Sequence, residues 1–199
     1  MRCLLLDMGK VLLDFDWKHF HERMQAATGV ESDILPRAFA GDGVARKYES
    51  GFLTDEAFHA ALCEAIGAEV DMRYFVRAWN SIFAPTPILP DSLVQSLAQR
   101  ADLWVVSNTN NLHFAYVMDH FPVFRHFKGF VLSYEVKAMK PDPKIFSEAL
   151  RRAGVMPSQA LFVDDQLANV LAARDLGIDA FQFVNPDHFI AELQKRDIL

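Results

Sequence analysis

Four short apolar runs in this sequence end in groups that can do chemistry. Cys3-Leu4-Leu5-Leu6 ends in Asp7, with Gly9 two residues on. Leu103-Trp104-Val105-Val106 ends in Ser107-Asn108, Phe130-Val131-Leu132 ends in Ser133, and the run from Ala160 to Val163 ends in Asp164-Asp165. A carboxylate such as Asp7 is a nucleophile or a ligand for a hard cation. Brought together, Asp7 and the Asp164-Asp165 pair would share an ion such as Mg²⁺, which takes oxygen ligands. Gly9 marks a place where the backbone turns or lets another group come close. Taken singly, each position has a plain structural alternative: Asp7 as a turn residue, Ser107 as a cap.

The elements around these residues decide whether they meet. Runs of four apolar residues bounded by polar ones predict strands buried on both faces. From residue 90 onward they alternate with helical patterns over 90–100, 110–120, 142–153, 166–176 and 186–195, and a last strand is expected over 180–184. Such alternation predicts an α/β fold with a doubly wound parallel sheet, and the run at Cys3 belongs to the same sheet. The carboxyl ends of parallel strands lie on one edge, where open α/β sheets bind ligands. All four polar strand ends therefore face one site. Residues 17–83 differ. Helical spacing of Trp17, Phe20, Met24 and Ala27, with Asp16 as N-cap, predicts a helix over 17–28. Further helices are expected over 32–40, 44–50, 54–66 and 71–83, with no strand. Pro85-Thr86-Pro87 reads as a linker. The expected organisation is a core of residues 1–16 and 87–199, with a helical insertion over 17–86.

Composition narrows the function classes. The chain has 199 residues and a net charge of −6, with 51% apolar residues. That is ordinary globular composition, and the acidic balance gives no reason to expect nucleic acid or an anionic membrane as partner. Cys3 and Cys63 sit in apolar patterns, so no disulfide framework is expected and the residues fit a reducing cytoplasm. The N-terminal apolar run is too short for a signal peptide and meets Asp7, and no run reaches transmembrane length.

Taken together, the motifs Leu5-Leu6-Asp7-Met8-Gly9-Lys10-Val11, Val105-Val106-Ser107-Asn108-Thr109-Asn110, Lys140-Pro141-Asp142-Pro143-Lys144 and Phe162-Val163-Asp164-Asp165 with Asn169 resemble those of the haloacid-dehalogenase superfamily of aspartyl-nucleophile hydrolases. Within it, the Ser-Asn-Thr-Asn-x-Leu-His and Asp-Asp-x-x-x-Asn strings are similar to the bacterial α-D-glucose-1-phosphate phosphatases. The resemblance implies a Rossmann-like core and makes the helical insertion a small cap over the site. It implies that Asp7 attacks phosphorus and that Lys140 offsets charge repulsion. It makes Asp7, the Gly9 carbonyl and Asp165 the Mg²⁺ ligands. Ser107 and Asn108 would bind the phosphoryl group, and Asp164 and Asn169 would orient Lys140 or a metal-bound water. The sequence departs from the family pattern at four positions. Gly9 stands where most phosphatases of the superfamily carry an acid–base Asp. Lys10 and Lys137 stand where small residues are common. Ser50, in Tyr48-Glu49-Ser50-Gly51, replaces an Arg of the relatives. Lys10 and Lys137 are expected to face solvent, and His113 is one candidate for touching substrate.

The expectation is a cytoplasmic Mg²⁺-dependent phosphatase of small phosphorylated metabolites, sugar 1-phosphates being candidates, monomeric or homodimeric and without nucleic-acid or membrane partners. Two alternatives stay open: a 2-haloacid dehalogenase using Asp7 on carbon, and a catalytically weak relative that binds a phosphorylated ligand.

Overall fold

A computed structural model describes residues 2–30 and 43–199. Its centre is β1 (Cys3–Leu6), whose four side chains are all fully buried. On one side β1 pairs in parallel with β4 (Asp102–Ser107), which pairs with β5 (Gly129–Leu132). On the other it pairs with β6 (Ala160–Asp164), which pairs with β7 (Asp179–Gln182). The order β5-β4-β1-β6-β7 means that the chain steps outward from β1 and then crosses to the opposite side. The reversal falls beside β1, so its carboxyl end opens on the crevice where such sheets bind ligands.

Alternation along the strands divides the core. Leu4 and Leu6 of β1, with Leu103, Val105, Leu161 and Val163, pack under α5 (Asp91–Ala98), α6 (Asn111–His120) and α10 (Pro186–Gln194). Cys3 and Leu5, with Val106, Val131 and Phe162, pack under α8 (Pro143–Ala153) and α9 (Leu167–Asp175). A strand covered on both faces has to be apolar throughout, and β1 is. This is the doubly wound parallel sheet expected from the sequence.

The helical stretch contains α1 (Lys18–Thr28), α2 (Val44–Glu49), α3 (Asp55–Ile66) and α4 (Met72–Asn80). Thr54 caps α3 by accepting from the Ala57 amide, and Asp71 caps α4 by accepting from Tyr74. These helices share a separate core of Phe20, Met24, Tyr48, Phe58, Phe75 and Trp79. The helix expected over 32–40 lies outside the described residues. Asp16 accepts from the Lys18 amide but sits one residue before the N-cap position, which Trp17 holds.

Two expectations are corrected. Residues 85–87 are not a free linker, because Phe83–Pro87 forms β3, antiparallel to β2 (Leu13–Phe15). A two-stranded ribbon is all edge, where proline is tolerated because its missing N–H need not meet a partner. The helix expected to reach Phe83 stops at Asn80 because Phe83 belongs to this ribbon. A short helical turn, α7 (Ser133–Val136), also follows β5 directly. It ends at Lys137, which like Lys10 has a left-handed backbone (φ 55° and 59°). Small residues are favoured in that region, which explains why lysine looked unusual at both places. No described helix is long and apolar enough to cross a membrane.

His113 joins the helical layer to the sheet. Its ring stacks on Trp79 at 4.8 Å. Its Nε2–H is placed to donate to the Trp79 carbonyl (3.0 Å), and its Nδ1 to accept from the Asn110 amide (3.0 Å). Asn110 Oδ1 accepts in turn from Trp79 Nε1. A neutral imidazole satisfies every group here, so His113 is a buried joint and lines neither cavity described below. Burial pushes its pKa down to about 3, against weaker support from the Trp79 carbonyl. The unfolded imidazole titrates near 6.5. The folded state therefore binds fewer protons, and this contribution, complete above the unfolded pKa, is lost as pH falls. Relative to His113→Gln, the wild type is expected to lose stability from about pH 6.5 to pH 4 in denaturant titrations. A pH-independent difference would contradict the neutral assignment.

Candidate active site

Asp7 continues β1 by one hydrogen bond, its N–H donating to the Val163 carbonyl at 3.0 Å. It is 7% exposed. Its Oδ1 accepts from the Met8 amide (2.7 Å) and from Lys140 Nζ (2.6 Å). The same ammonium donates to Asp164 Oδ2 at 2.7 Å. Lys140 is held from behind by Asn108, which accepts from its N–H (2.7 Å) and donates to its carbonyl (3.0 Å). The Lys140–Pro141 peptide is cis. Asp164 is fully engaged, since Oδ1 accepts from Asn169 Nδ2 (3.0 Å) and from the Gln166 amide (2.8 Å).

One ammonium between two carboxylates leaves a net negative charge in a buried place. Burial dominates at Asp7 and pushes its carboxyl up to about 7, with Lys140 opposing and Asp164 adding to the shift. Burial alone would lower the Lys140 ammonium. Asp7 and Asp164 outweigh it and hold the amine above its usual range. Asp165 is raised by burial and then by Asp164.

Asp7, Asp164 and Asp165 offer oxygens within 4.8 Å of one another. Hard carboxylate oxygens at this spacing fit a divalent cation. The two acids of the pair differ. Asp164 has both oxygens hydrogen-bonded, while no side-chain group bonds the Asp165 carboxylate among the described residues. Asp165 is thus the freer ligand, and its backbone is fixed by Gln182, which donates to its carbonyl at 2.8 Å. Lys10 does not enter this cluster. Its amine bonds Asp14 and the Phe15 carbonyl and lies 4.7 Å from the centre of the Phe15 ring.

Two adjoining cavities open here. The smaller, about 90 Å³, is lined by Asp7, Gly9, Lys10, Asp165 and Asn169. The larger, about 660 Å³, is lined by Trp17 and His21 from the start of the helical stretch, by Ala45, Arg46 and Glu49 of α2, and by Met139 and Pro141. Phe15, Asn108, Lys140 and Gln166 line both.

Asp7, Gly9, Asn108, Lys140, Asp165 and Asn169 all line the smaller cavity, with Asp164 bonded to Lys140. Ser107 is 1% exposed and lines neither cavity; its hydroxyl lies 3.4 Å from the Asn108 carbonyl. Ser133 does not line them either. It accepts from the Thr109 amide (3.0 Å) and its hydroxyl lies 2.6 Å from the Glu49 carbonyl. Residue types and spacing gave no sign of the roles of Phe15, His21, Arg46 and Gln166. Glu49 was visible only as part of a string that departs from the family pattern.

A haloacid dehalogenase-like hydrolase family model matches residues 1–177. The chain belongs to this family of hydrolases. It is 24% identical to the D-ribitol-5-phosphate phosphatase of Bacteroides thetaiotaomicron over 96% of this chain and 95% of that protein. The structure is similar to the crystal structure of a HAD family enzyme from the same organism in complex with magnesium and inorganic phosphate, with a TM-score of 0.85, 30% identity, and 94% and 96% of the two chains covered. An L-2-haloacid dehalogenase from Xanthobacter autotrophicus shares the fold at a TM-score of 0.60 and 16% identity, covering 100% of this chain and 84% of that one.

Removing Lys140 leaves Asp7 and Asp164 buried without their shared cation. Lys140→Met is expected to cost about 3–5 kcal/mol in denaturant titrations at neutral pH, the range for breaking a buried pair from one side. The double variant with Asp164→Asn is expected to recover part of that loss. Equal loss in both would show that the ammonium is not balancing Asp164.

Proposed function

We propose that the protein is a Mg²⁺-dependent phosphatase of small phosphorylated metabolites, working through an aspartyl-phosphate on Asp7. The observation that carries this reading is the Lys140 ammonium bridging Asp7 and Asp164 beside the less encumbered Asp165. The ribitol-phosphate phosphatase relative and the magnesium- and phosphate-bound neighbour support it.

A carboxylate attacking a phosphate dianion meets like-charge repulsion. Lys140 offsets it, contacting Asp7 where charge builds up on the transferring oxygens. Asn108 and Asp164 act on Lys140, fixing its backbone and its amine, and Asn169 holds Asp164 in turn. Asp7, the Gly9 carbonyl and Asp165 would hold Mg²⁺, which when bound neutralises phosphoryl charge. Ser107, buried next to Asn108, is assigned to the phosphoryl end of the site. The phosphoryl group sits in the smaller cavity and the rest of the substrate in the larger. The indole of Trp17, the Phe15 ring and the polar groups of His21, Arg46 and Glu49 suit a polyhydroxylated substrate such as a sugar or sugar-alcohol phosphate. In this reading the helical stretch of residues 17–86 acts as the cap, since it supplies the far wall.

The test is release of phosphate from a panel of sugar and sugar-alcohol phosphates, with and without Mg²⁺, alongside halide release from 2-chloropropionate. Wild type is expected to release phosphate only with Mg²⁺, and Asp7→Asn to lose at least about 10³-fold, as for removal of a nucleophile. Metal-independent halide release would overturn the phosphatase reading in favour of a dehalogenase. Silence on both panels would favour a binding protein.

A further inference from the structure

The phosphatase reading leaves one chemical requirement unmet. An alkoxide is a poor leaving group, and a positioned acid that protonates it is worth about 10²–10⁴ in rate. Position 9, two residues after the nucleophile, carries no side chain. A side chain there would have to displace the Phe15 ring, since a Cβ would lie 2.7 Å from its Cε1. Phe15 fills that place and lines both cavities, and any acid must come from elsewhere.

Among the described residues, the ionisable groups lining the larger cavity are His21, Arg46, Glu49 and Lys140. Lys140 is bonded to both Asp7 and Asp164 and held above its usual range. Arginine is not deprotonated in proteins. Burial lowers His21, with Asp16 opposing, which disfavours the imidazolium that an acid would need. Glu49 remains. Its carboxyl makes no hydrogen bond among the described residues, and burial against the cavity wall pushes it up to about 7, Arg46 partly opposing. An acid is most effective when its pKa lies near the working pH.

The backbone at Glu49 is fixed to the core. The Ser133 hydroxyl lies 2.6 Å from the Glu49 carbonyl, and Ser133 is itself bonded to Thr109, two residues past Ser107. Two residues on, Gly51 has φ 72°, and a Cβ there would lie 2.0 Å from the Tyr134 carbonyl oxygen. Tyr48, on the other side, donates its hydroxyl to Asp55 and accepts from the Leu112 amide. The segment carrying Glu49 is thus clamped against the carboxyl ends of β4 and β5, in the same sheet whose β1 carries the nucleophile.

We propose that Glu49 is the general acid of this enzyme, delivered from the helical layer in place of a side chain at position 9. The inference rests on the phosphatase reading. As the Asp7–phosphorus bond forms and the phosphorus–oxygen bond to the leaving group breaks, the Glu49 proton passes to the departing oxygen. An alcohol leaves and Glu49 becomes a carboxylate. Water then enters the vacated place, gives one proton to Glu49 and adds its oxygen to phosphorus. The Asp7–phosphorus bond breaks, and inorganic phosphate, free Asp7 and protonated Glu49 result.

The experiment is leaving-group dependence in Mg²⁺. Wild type, Glu49→Gln and Glu49→Asp are compared on p-nitrophenyl phosphate, phenyl phosphate, ribitol 5-phosphate and glycerol 3-phosphate. p-Nitrophenolate leaves without a proton; the alkoxides do not. Glu49→Gln is expected to lose about 10²-fold or more in kcat/KM, which reports the phosphorylation of Asp7, on the alkyl phosphates and to stay within about threefold in kcat/KM on p-nitrophenyl phosphate, while kcat falls on every substrate for which hydrolysis of the aspartyl-phosphate limits turnover. Phenyl phosphate should fall between, and Glu49→Asp should restore part of the loss. An equal loss of kcat/KM on all substrates would assign Glu49 a structural role, and no loss on any would assign it none; both overturn the inference while leaving the phosphatase reading intact. A wild type that releases no phosphate from any of the four overturns both.

Discussion

A single ammonium held between two buried carboxylates sets the terms for the rest of the structure. Lys140 bonds Asp7 at 2.6 Å and Asp164 at 2.7 Å, and its own side chain is 1% exposed. Three charges in a dry place persist only when each is paired and hydrogen-bonded, because a charge taken out of water without a partner is costly. The surroundings meet that demand. Asn108 secures the Lys140 backbone on both its N–H and its carbonyl, and Asn169 and the Gln166 amide fill the remaining oxygen of Asp164. Even so, two carboxylates share one cation, and Asp165 stands beside them. The excess negative charge makes the site receptive to a cation, and the fixed ammonium makes it receptive to an anion. A phosphate ester carried with a divalent metal answers both.

The parallel sheet brings this about at low conformational cost. Asp7 and Asp164 sit at the ends of adjacent buried strands, and Lys140 comes from the segment that leads into α8. The residues that hold charge therefore stand on or beside the buried sheet. The helical layer contributes differently. It has its own aromatic core and meets the sheet at the buried His113–Trp79–Asn110 joint and the Tyr48–Asp55–Asn111 bonds. It supplies the far wall of the larger cavity.

Much of this could be read from the sequence because buried parallel strands leave an apolar signature. Asp7, Asp164 and Asp165 each interrupt such a run at its carboxyl end, and topology does the rest. Lys140 and Asn169 became visible only through a resemblance, since their meaning lies in contacts across the fold. Asn108 shows the limit well. The resemblance makes it a phosphoryl ligand, and besides lining the smaller cavity its amide clasps the Lys140 backbone 32 residues away, a contact that no local pattern encodes. Ser133 ends a strand like the others but faces the helical layer through the Glu49 carbonyl. The strand at Phe83–Pro87 was hidden by two prolines, which only an all-edge ribbon tolerates. The crowding of Gly9 by Phe15 comes from the turn after Asp7, which bridges Gly9 to Leu13, and no periodicity encodes it.

The central claim is that Asp7, paired with Lys140, becomes covalently phosphorylated. The most direct measurement is acid quenching of the enzyme during turnover of p-nitrophenyl phosphate in Mg²⁺, reduction with borohydride, and peptide mass spectrometry. An aspartyl-phosphate is reduced to homoserine, so the account predicts homoserine at position 7 and at no other acidic residue, dependent on Mg²⁺. Steady phosphate release with Asp7 recovered unmodified would contradict it, showing that water attacks phosphorus directly.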